Sequence, residues 1–262
     1  MHFSELLSTL PLFIRYFFTV VDRHSLQAPY VFNLYSELMV GMRSTHGLPA
    51  VEAFRQIYLR DHSLVCGSDF GAGSRLKTKK TVATIARHGI SSRKDCTFLY
   101  ELARITQPQT CIELGTSLGI ATAYLSKSVP VGKIYTFEGN EELVSRTHAM
   151  LGKLDCDNVE IIRGNIDSEL PVFLDQIEEV DFALLDANHT FEALTHYFYL
   201  LKRKMSPGAC MVIDDIRWSK GMHAAWQQIR ADGRVSLSME FLHKGVVIFD
   251  LPVSKQHYVL SY

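Results

Sequence analysis

Glu113-Leu-Gly-Thr-Ser-Leu-Gly119 is the stretch on which the reading of this chain turns. It closes a short apolar run, Thr110 to Leu114, and opens an amphipathic one, so it reads as a strand breaking into a tight glycine turn and then a helix. Glycine at such a turn lets backbone approach a ligand above the carboxyl edge of a parallel sheet. Taken alone the turn is a weak sign, because glycine there also serves simply to pack a helix on a sheet.

Downstream, short apolar runs alternate with amphipathic segments, the pattern of a parallel sheet with crossover helices. The candidate strands are Thr110 to Leu114, Lys133 to Phe137, Val159 to Arg163, Val180 to Leu185 and Ala209 to Ile213. Between them, Leu143, Thr147, Met150 and Leu154 share one helical face, as do Phe191, Leu194, Phe198, Leu201 and Met205. The second of these helices ends in Lys202, Arg203 and Lys204, a basic last turn before Ser206-Pro207-Gly208. A further helix, Lys220 to Arg230, leads to two apolar runs, Val235 to Leu242 and Val246 to Leu251, that flank the hairpin signal His243-Lys244-Gly245.

Glu138 ends the second strand, 25 residues after Glu113, where a carboxylate can accept hydrogen bonds from both hydroxyls of a ribose. The loop Gly164-Asn165 after the third strand would border the base. Together these placements point to a nucleoside-type cofactor.

At these residues the chain resembles the class I S-adenosylmethionine-dependent methyltransferases. Glu113 to Gly119 is similar to the family's first motif, Phe137-Glu138 to its second and Val180 to Ala187 to its fourth strand. The resemblance implies an α/β, doubly wound Rossmann-like sheet, mostly parallel with a C-terminal antiparallel hairpin, over residues 96–262. It also implies S-adenosyl-L-methionine as cofactor, held by Glu113, Gly115, Thr116, Ser117, Gly119, Glu138, Gly139 and Asn165. Asp186-Ala-Asn-His189 and Asp214-Asp215-Ile-Arg-Trp218 resemble the paired segments of catechol and caffeoyl-CoA O-methyltransferases, which bind a divalent cation. The matching metal ligands are Asp186, Asp214 and Asp215, for Mg2+ or another divalent cation, since converging carboxylates repel unless a hard cation sits among them. His189 falls at the general-base position, with Asp186 beside it and also near the cofactor. Aspartate at 215 and histidine at 189 depart from the metal-dependent pattern, in which asparagine and lysine stand. Structural readings stand beside these: Asp186 as a helix cap, Asp214-Asp215 as a solvated strand end, His189 as a turn residue and Trp218 as a pocket wall.

Residues 1–95 show no strand-helix alternation and read as a helical region. Its aromatics, Phe13, Tyr16, Phe17, Phe18, Tyr30, Phe32 and Tyr35, suit a helical core, a lid or a homodimer surface. Asp69-Phe-Gly-Ala-Gly-Ser74 imitates a first motif but has neither a preceding apolar strand nor a strand-ending acid at the right distance, and reads as a loop.

A net charge of −1 lacks the footprint of a protein that binds nucleic acid without sequence preference. It leaves an RNA-modifying enzyme using the patch Arg75 to Lys94 as the alternative to a small-molecule acceptor. A non-catalytic cofactor-binding module is the third reading, opposed by polar groups at every expected site position. Five scattered cysteines without CxxC spacing fit a reducing compartment, hence the cytoplasm. The apolar stretch Leu6 to Val21 is broken by Pro11 and Arg15 and is too short for a membrane span.

Overall fold

The structure, a computed structural model, describes residues 3–66 and 80–262. The imitation motif at 69–74 and the basic residues Arg75, Lys77 and Lys79 lie outside them.

In chain order the elements begin with helices α1 (Phe3–Thr19), α2 (Pro29–Ser44) and α3 (Pro49–Arg60), strands β1 (Leu64–Val65) and β2 (Lys80–Thr81), and helices α4 (Val82–His88) and α5 (Arg93–Thr106). Alternation then sets in: β3 (Thr110–Leu114), α6 (Ile120–Ser128), β4 (Lys133–Glu138), α7 (Glu141–Lys153), β5 (Val159–Arg163), α8 (Ile166–Leu174), β6 (Val180–Leu185), α9 (Phe191–Lys202) and β7 (Met205–Ile213). The last elements are α10 (Lys220–Ala231), β8 (Val235–Glu240), β9 (Gly245–Phe249) and β10 (Gln256–Val259). This is the expected α/β architecture; among the described residues, the helical region ahead of it is relieved by the two-residue antiparallel pair of β1 and β2.

Contacts gather the chain into two compact units, residues 37–177 and residues 1–36 with 178–262. In the first, β3 pairs parallel with β4 and β4 with β5. Its core joins Leu118, Ile120, Ala123 and Tyr124 to Leu143, Met150, Leu151 and Leu154, so the predicted apolar face of α7 is the buried one. Asn140 caps that helix by accepting the N–H groups of Glu142 and Leu143.

In the second unit β6 pairs parallel with β7, while β9 runs antiparallel to both β7 and β8. Leu194, Phe198 and Leu201 of α9 are buried, and Phe198 stacks on Phe249 of β9 at 6.2 Å. Met205 departs from the expected helical face: the helix ends at Lys202, and Met205 opens β7 opposite Val180. Gly245 is fixed by packing, because a Cβ there would come within 2.4 Å of the Trp226 ring.

Strand β10, which sequence reading did not anticipate, lies parallel to β8 and holds the N-terminal helices. Val21 donates its N–H to Val259 O at 2.9 Å, while the Tyr16 and Tyr35 hydroxyls donate to Leu260 O and Ser261 O, each at 2.7 Å. Tyr16 and Tyr35 are thus core, as one reading of the aromatics expected, whereas Leu10, Ile14, Phe17 and Phe18 form an exposed row on α1. No helix among the described residues is long and apolar enough to cross a membrane.

Candidate functional site

The turn after β3 is built from alternating left-handed residues, Gly115 at φ +101°, Ser117 at +50° and Gly119 at +74°. It folds back on β4: the N–H groups of Gly115 and Thr116 both donate to Phe137 O. The Ser117 N–H donates to Glu138 Oε2 at 2.8 Å, and the Asn140 N–H donates to Glu138 Oε1 at 2.9 Å. The half-buried carboxylate at the strand end is therefore held in one orientation beside the half-buried backbone of Gly115 and Ser117, while Gly119 is buried. That arrangement fits a ribose-bearing cofactor.

Glu113 has another place. It is wholly buried, and its Oε2 accepts hydroxyl hydrogens from Thr122 at 2.5 Å and Thr136 at 2.6 Å. Thr116 is buried too, its hydroxyl 2.6 Å from that of Thr136. These two residues brace the turn from inside. Gly139 lies half-buried between Glu138 and the cap residue Asn140. Asn165 caps α8, accepting the Asp167 N–H at 3.1 Å, while Gly164 donates its N–H to Glu138 O at 3.0 Å.

Gly119 is sterically obligatory. A Cβ there would stand 2.4 Å from Thr147 Cγ2 and 3.0 Å from Met150 Cε, on a backbone already at positive φ. Gly119→Ala is expected to cost on the order of 2 kcal/mol or more, from overpacking added to left-handed strain. Urea denaturation checks it, and an unchanged midpoint would contradict the packing described.

The acidic segments belong to the other unit, where they lie beside each other. Asp186 follows β6, Asp214 follows β7, and the Asp214 N–H donates to Leu185 O at 3.0 Å, which ties the two strand ends together. His189 precedes Thr190, the N-cap of α9. Its Nε2 is buried without a hydrogen bond, 3.4 Å from Asp186 Oδ1 and 3.8 Å from Asp215 Oδ2. Asn188 and Asp215 are both left-handed, at φ +49° and +53°, and Asn188 is pinned by donating to the Tyr197 hydroxyl at 2.9 Å. The exposed Trp218 ring lies 6.1 Å from the His189 ring, as a wall residue would.

Burial pushes the Asp186 carboxyl up to about 6, aided by the Asp214 charge and opposed by His189 and Lys244. Burial opposes charge on the His189 imidazole, but the carboxylates of Asp186, Asp215 and Asp214 outweigh it and hold its pKa above the ordinary 6.5.

Sequence reading missed Lys244, taken there only as a hairpin residue. It is 2% exposed, and its Nζ donates to Asp214 Oδ1 at 2.7 Å. The same oxygen accepts the Asp215 N–H at 2.8 Å. Asp186, Asp214 and Asp215 accordingly do not fit the divalent cation expected of them: an ammonium already occupies Asp214. Among the described residues, no group of three or more His, Cys, Asp or Glu is arranged to hold a metal ion. Arg217, also unforeseen, is buried and donates to Phe241 O at 2.6 Å, to Leu242 O at 2.8 Å and to Glu240, fixing the loop after Asp215.

The sequence profile of a methyltransferase-domain family matches residues 112–216, which include both strand-end motifs and the acidic segments. No curated protein matches the chain. Among solved structures, an O-methyltransferase from Bacillus cereus in complex with S-adenosylhomocysteine is 17% identical, covering 82% of this chain and 99% of its own, with a TM-score of 0.58. A methyltransferase from Podospora anserina with S-adenosylhomocysteine bound is 15% identical over 88% of this chain and 98% of its own, with a TM-score of 0.60. A caffeoyl-CoA O-methyltransferase assigned in Staphylococcus aureus is 13% identical over 83% of this chain and 99% of its own, with a TM-score of 0.59. At such identities the likeness speaks to the fold, a mostly parallel Rossmann-like sheet, and the matched profile speaks to the activity. Residues 112–216 thus match a methyltransferase domain, and the chain shares the fold of solved methyltransferases.

Proposed function

We propose that the protein transfers a methyl group to a hydroxyl oxygen of a small-molecule acceptor, with His189 as general base and Asp186 as its orienting partner. The observation that carries this reading is the His189 Nε2 atom, buried, without a hydrogen bond and flanked by two carboxylates that stabilise its protonated form. Bound S-adenosylmethionine supplies a methyl group already made electrophilic by its sulfonium. The protein therefore needs to contribute position and a proton acceptor, rather than a strong nucleophile of its own. His189 takes the acceptor's hydroxyl proton, and Asp186 and Asp215 stabilise the resulting imidazolium. Gly115 and Ser117 would present backbone to the cofactor, with Gly119 packing the turn against α7, and Glu138 would accept its ribose hydroxyls. No step is assigned to a divalent cation.

The solved relatives described as O-methyltransferases support oxygen as the acceptor atom. The exposed apolar row on α1 supports homodimer formation, and we assign acceptor selection and pairing of copies to residues 1–95. Five scattered cysteines without CxxC spacing support a cytoplasmic setting.

Incubation with S-adenosylmethionine and matched sets of phenols, catechols, carboxylic acids and amines, followed by mass spectrometry, tests the assignment. Methylated products are expected from hydroxyl acceptors. Turnover confined to amines would remove oxygen from the reading.

A further inference from the structure

We propose that Lys244 is a built-in cation for the Asp186, Asp214 and Asp215 cluster, taking the place that a divalent ion would hold, so that the cluster is complete without metal. The backbone register puts it there. Antiparallel pairing of β7 with β9 runs Cys210 to Ile248, Met211 to Val247, Val212 to Val246 and Ile213 to Gly245, so the next position sets Lys244 across from Asp214. The side chain has no route to solvent at 2% exposure, and its ammonium donates to Asp214 Oδ1 at 2.7 Å.

Two further observations fix that placement. The loop carrying the two aspartates is fastened to the hairpin carrying the lysine: the Ile216 N–H donates to His243 O at 2.9 Å, and Arg217 donates to Phe241 O and Leu242 O. Gly245, next to the lysine, packs directly on Trp226, where a Cβ would come within 2.4 Å of the ring. Lys244 is thus held as firmly as a strand residue although it stands at a turn.

The charge arrangement follows. Asp214 is met by Lys244, while Asp186 and Asp215 lie on either side of His189 Nε2 at 3.4 and 3.8 Å. A divalent cation entering among the three carboxylates would have to displace or adjoin a buried ammonium, and the two positive charges would repel each other. Lys244 acts as a positioning residue, keeping Asp214 and, through the Asp215 N–H bonded to it, Asp215 in place around His189. Nothing in this depends on which acceptor is methylated, or on methylation at all.

The test titrates Mn2+ into the purified full chain by calorimetry and compares melting temperatures in Mg2+ and in chelator, for wild type and for Lys244→Ala. The wild type is expected to show no saturable Mn2+ binding and the same melting temperature in both conditions. Lys244→Ala, checked for folding by circular dichroism, is expected to bind Mn2+ more than about tenfold tighter than wild type, since a like charge a few ångströms away is gone. It should also melt higher with the ion than in chelator, and a second change, Asp214→Asn, should erase both gains. Stoichiometric Mn2+ binding by the wild type that Asp214→Asn removes would overturn the proposal, as would a folded Lys244→Ala with no gain. The wild-type arm decides the matter even where Lys244→Ala does not fold. None of these readouts uses methyl transfer, so failure of the enzymatic reading and failure of this one are separately visible.

Discussion

Replacing His189 by Gln is expected to lower kcat by about 10²- to 10⁴-fold, the range usual for a removed general base. Affinity for S-adenosylhomocysteine should stay as it was, because the cofactor is assigned to Gly115, Ser117 and Glu138. The pH profile makes the test specific. His189 accepts a proton only when neutral, and its flanking carboxylates hold its pKa above 6.5 against the effect of burial. Wild-type kcat should therefore climb with pH to a half-point above 6.5, and the climb should vanish in His189→Gln. Asp186→Asn removes the nearest of those charges, so the half-point should move to lower pH. A wild-type profile flat from acid to neutral pH would rule out His189 as the base.

Stability should follow the same groups with one sign. His189 titrates higher folded than unfolded, so its contribution is full below 6.5 and is lost as pH rises through the folded value. Asp186, raised from 3.8 to about 6, likewise binds its proton more tightly when folded, and its contribution falls away across that interval as pH rises.

Glu138→Ala is expected to weaken S-adenosylhomocysteine binding at least about 10²-fold, because hydrogen bonds from two ribose hydroxyls to a carboxylate contribute roughly 1.5–3 kcal/mol each. Part of the loss is structural. The Ser117 N–H, now directed at Glu138 Oε2, and the Asn140 N–H, directed at Oε1, both lose their acceptor. Glu138→Gln separates the two contributions, since it keeps one acceptor oxygen for the turn but no charge for the ribose. Calorimetry reads both variants, and an unchanged affinity in Glu138→Ala would sink the cofactor assignment.

The parts of the fold that sequence reading captured are those whose cause is local. Thr110–Leu114, Val159–Arg163 and Val180–Leu185 are short apolar runs between turn residues, and their limits were legible. Strand β10 was not, because Gln256-His-Tyr-Val259 is polar and partly exposed, and becomes a strand only by pairing with β8. Met205 continued the helical spacing of α9 but obeys β-pairing with Val180 instead. At the site, Glu138 ends β4, Asp186 directly follows β6 and Asp214 directly follows β7, the strand-end positions expected of them. Glu113 and Thr116 turn their side chains inward to Thr122 and Thr136, which only the packed structure reveals. Lys244 escaped for the opposite reason: a lysine beside a turn glycine is usually solvated, and its burial follows from a register between strands 30 residues apart in contact with Asp214.

The latch between the first helices and strand β10 also sets an order of events during synthesis. Residues 37–177 are contiguous, so every contact within that unit becomes available while translation is still under way. Tyr16 must wait for its acceptor on Leu260, 244 residues later, a delay on the order of tens of seconds on the ribosome. During that interval α1 lacks its hydrogen-bonding partner on Leu260. Yield in cells should accordingly respond to chaperone supply and to the speed of translation downstream of residue 177, more than to changes within the glycine turn.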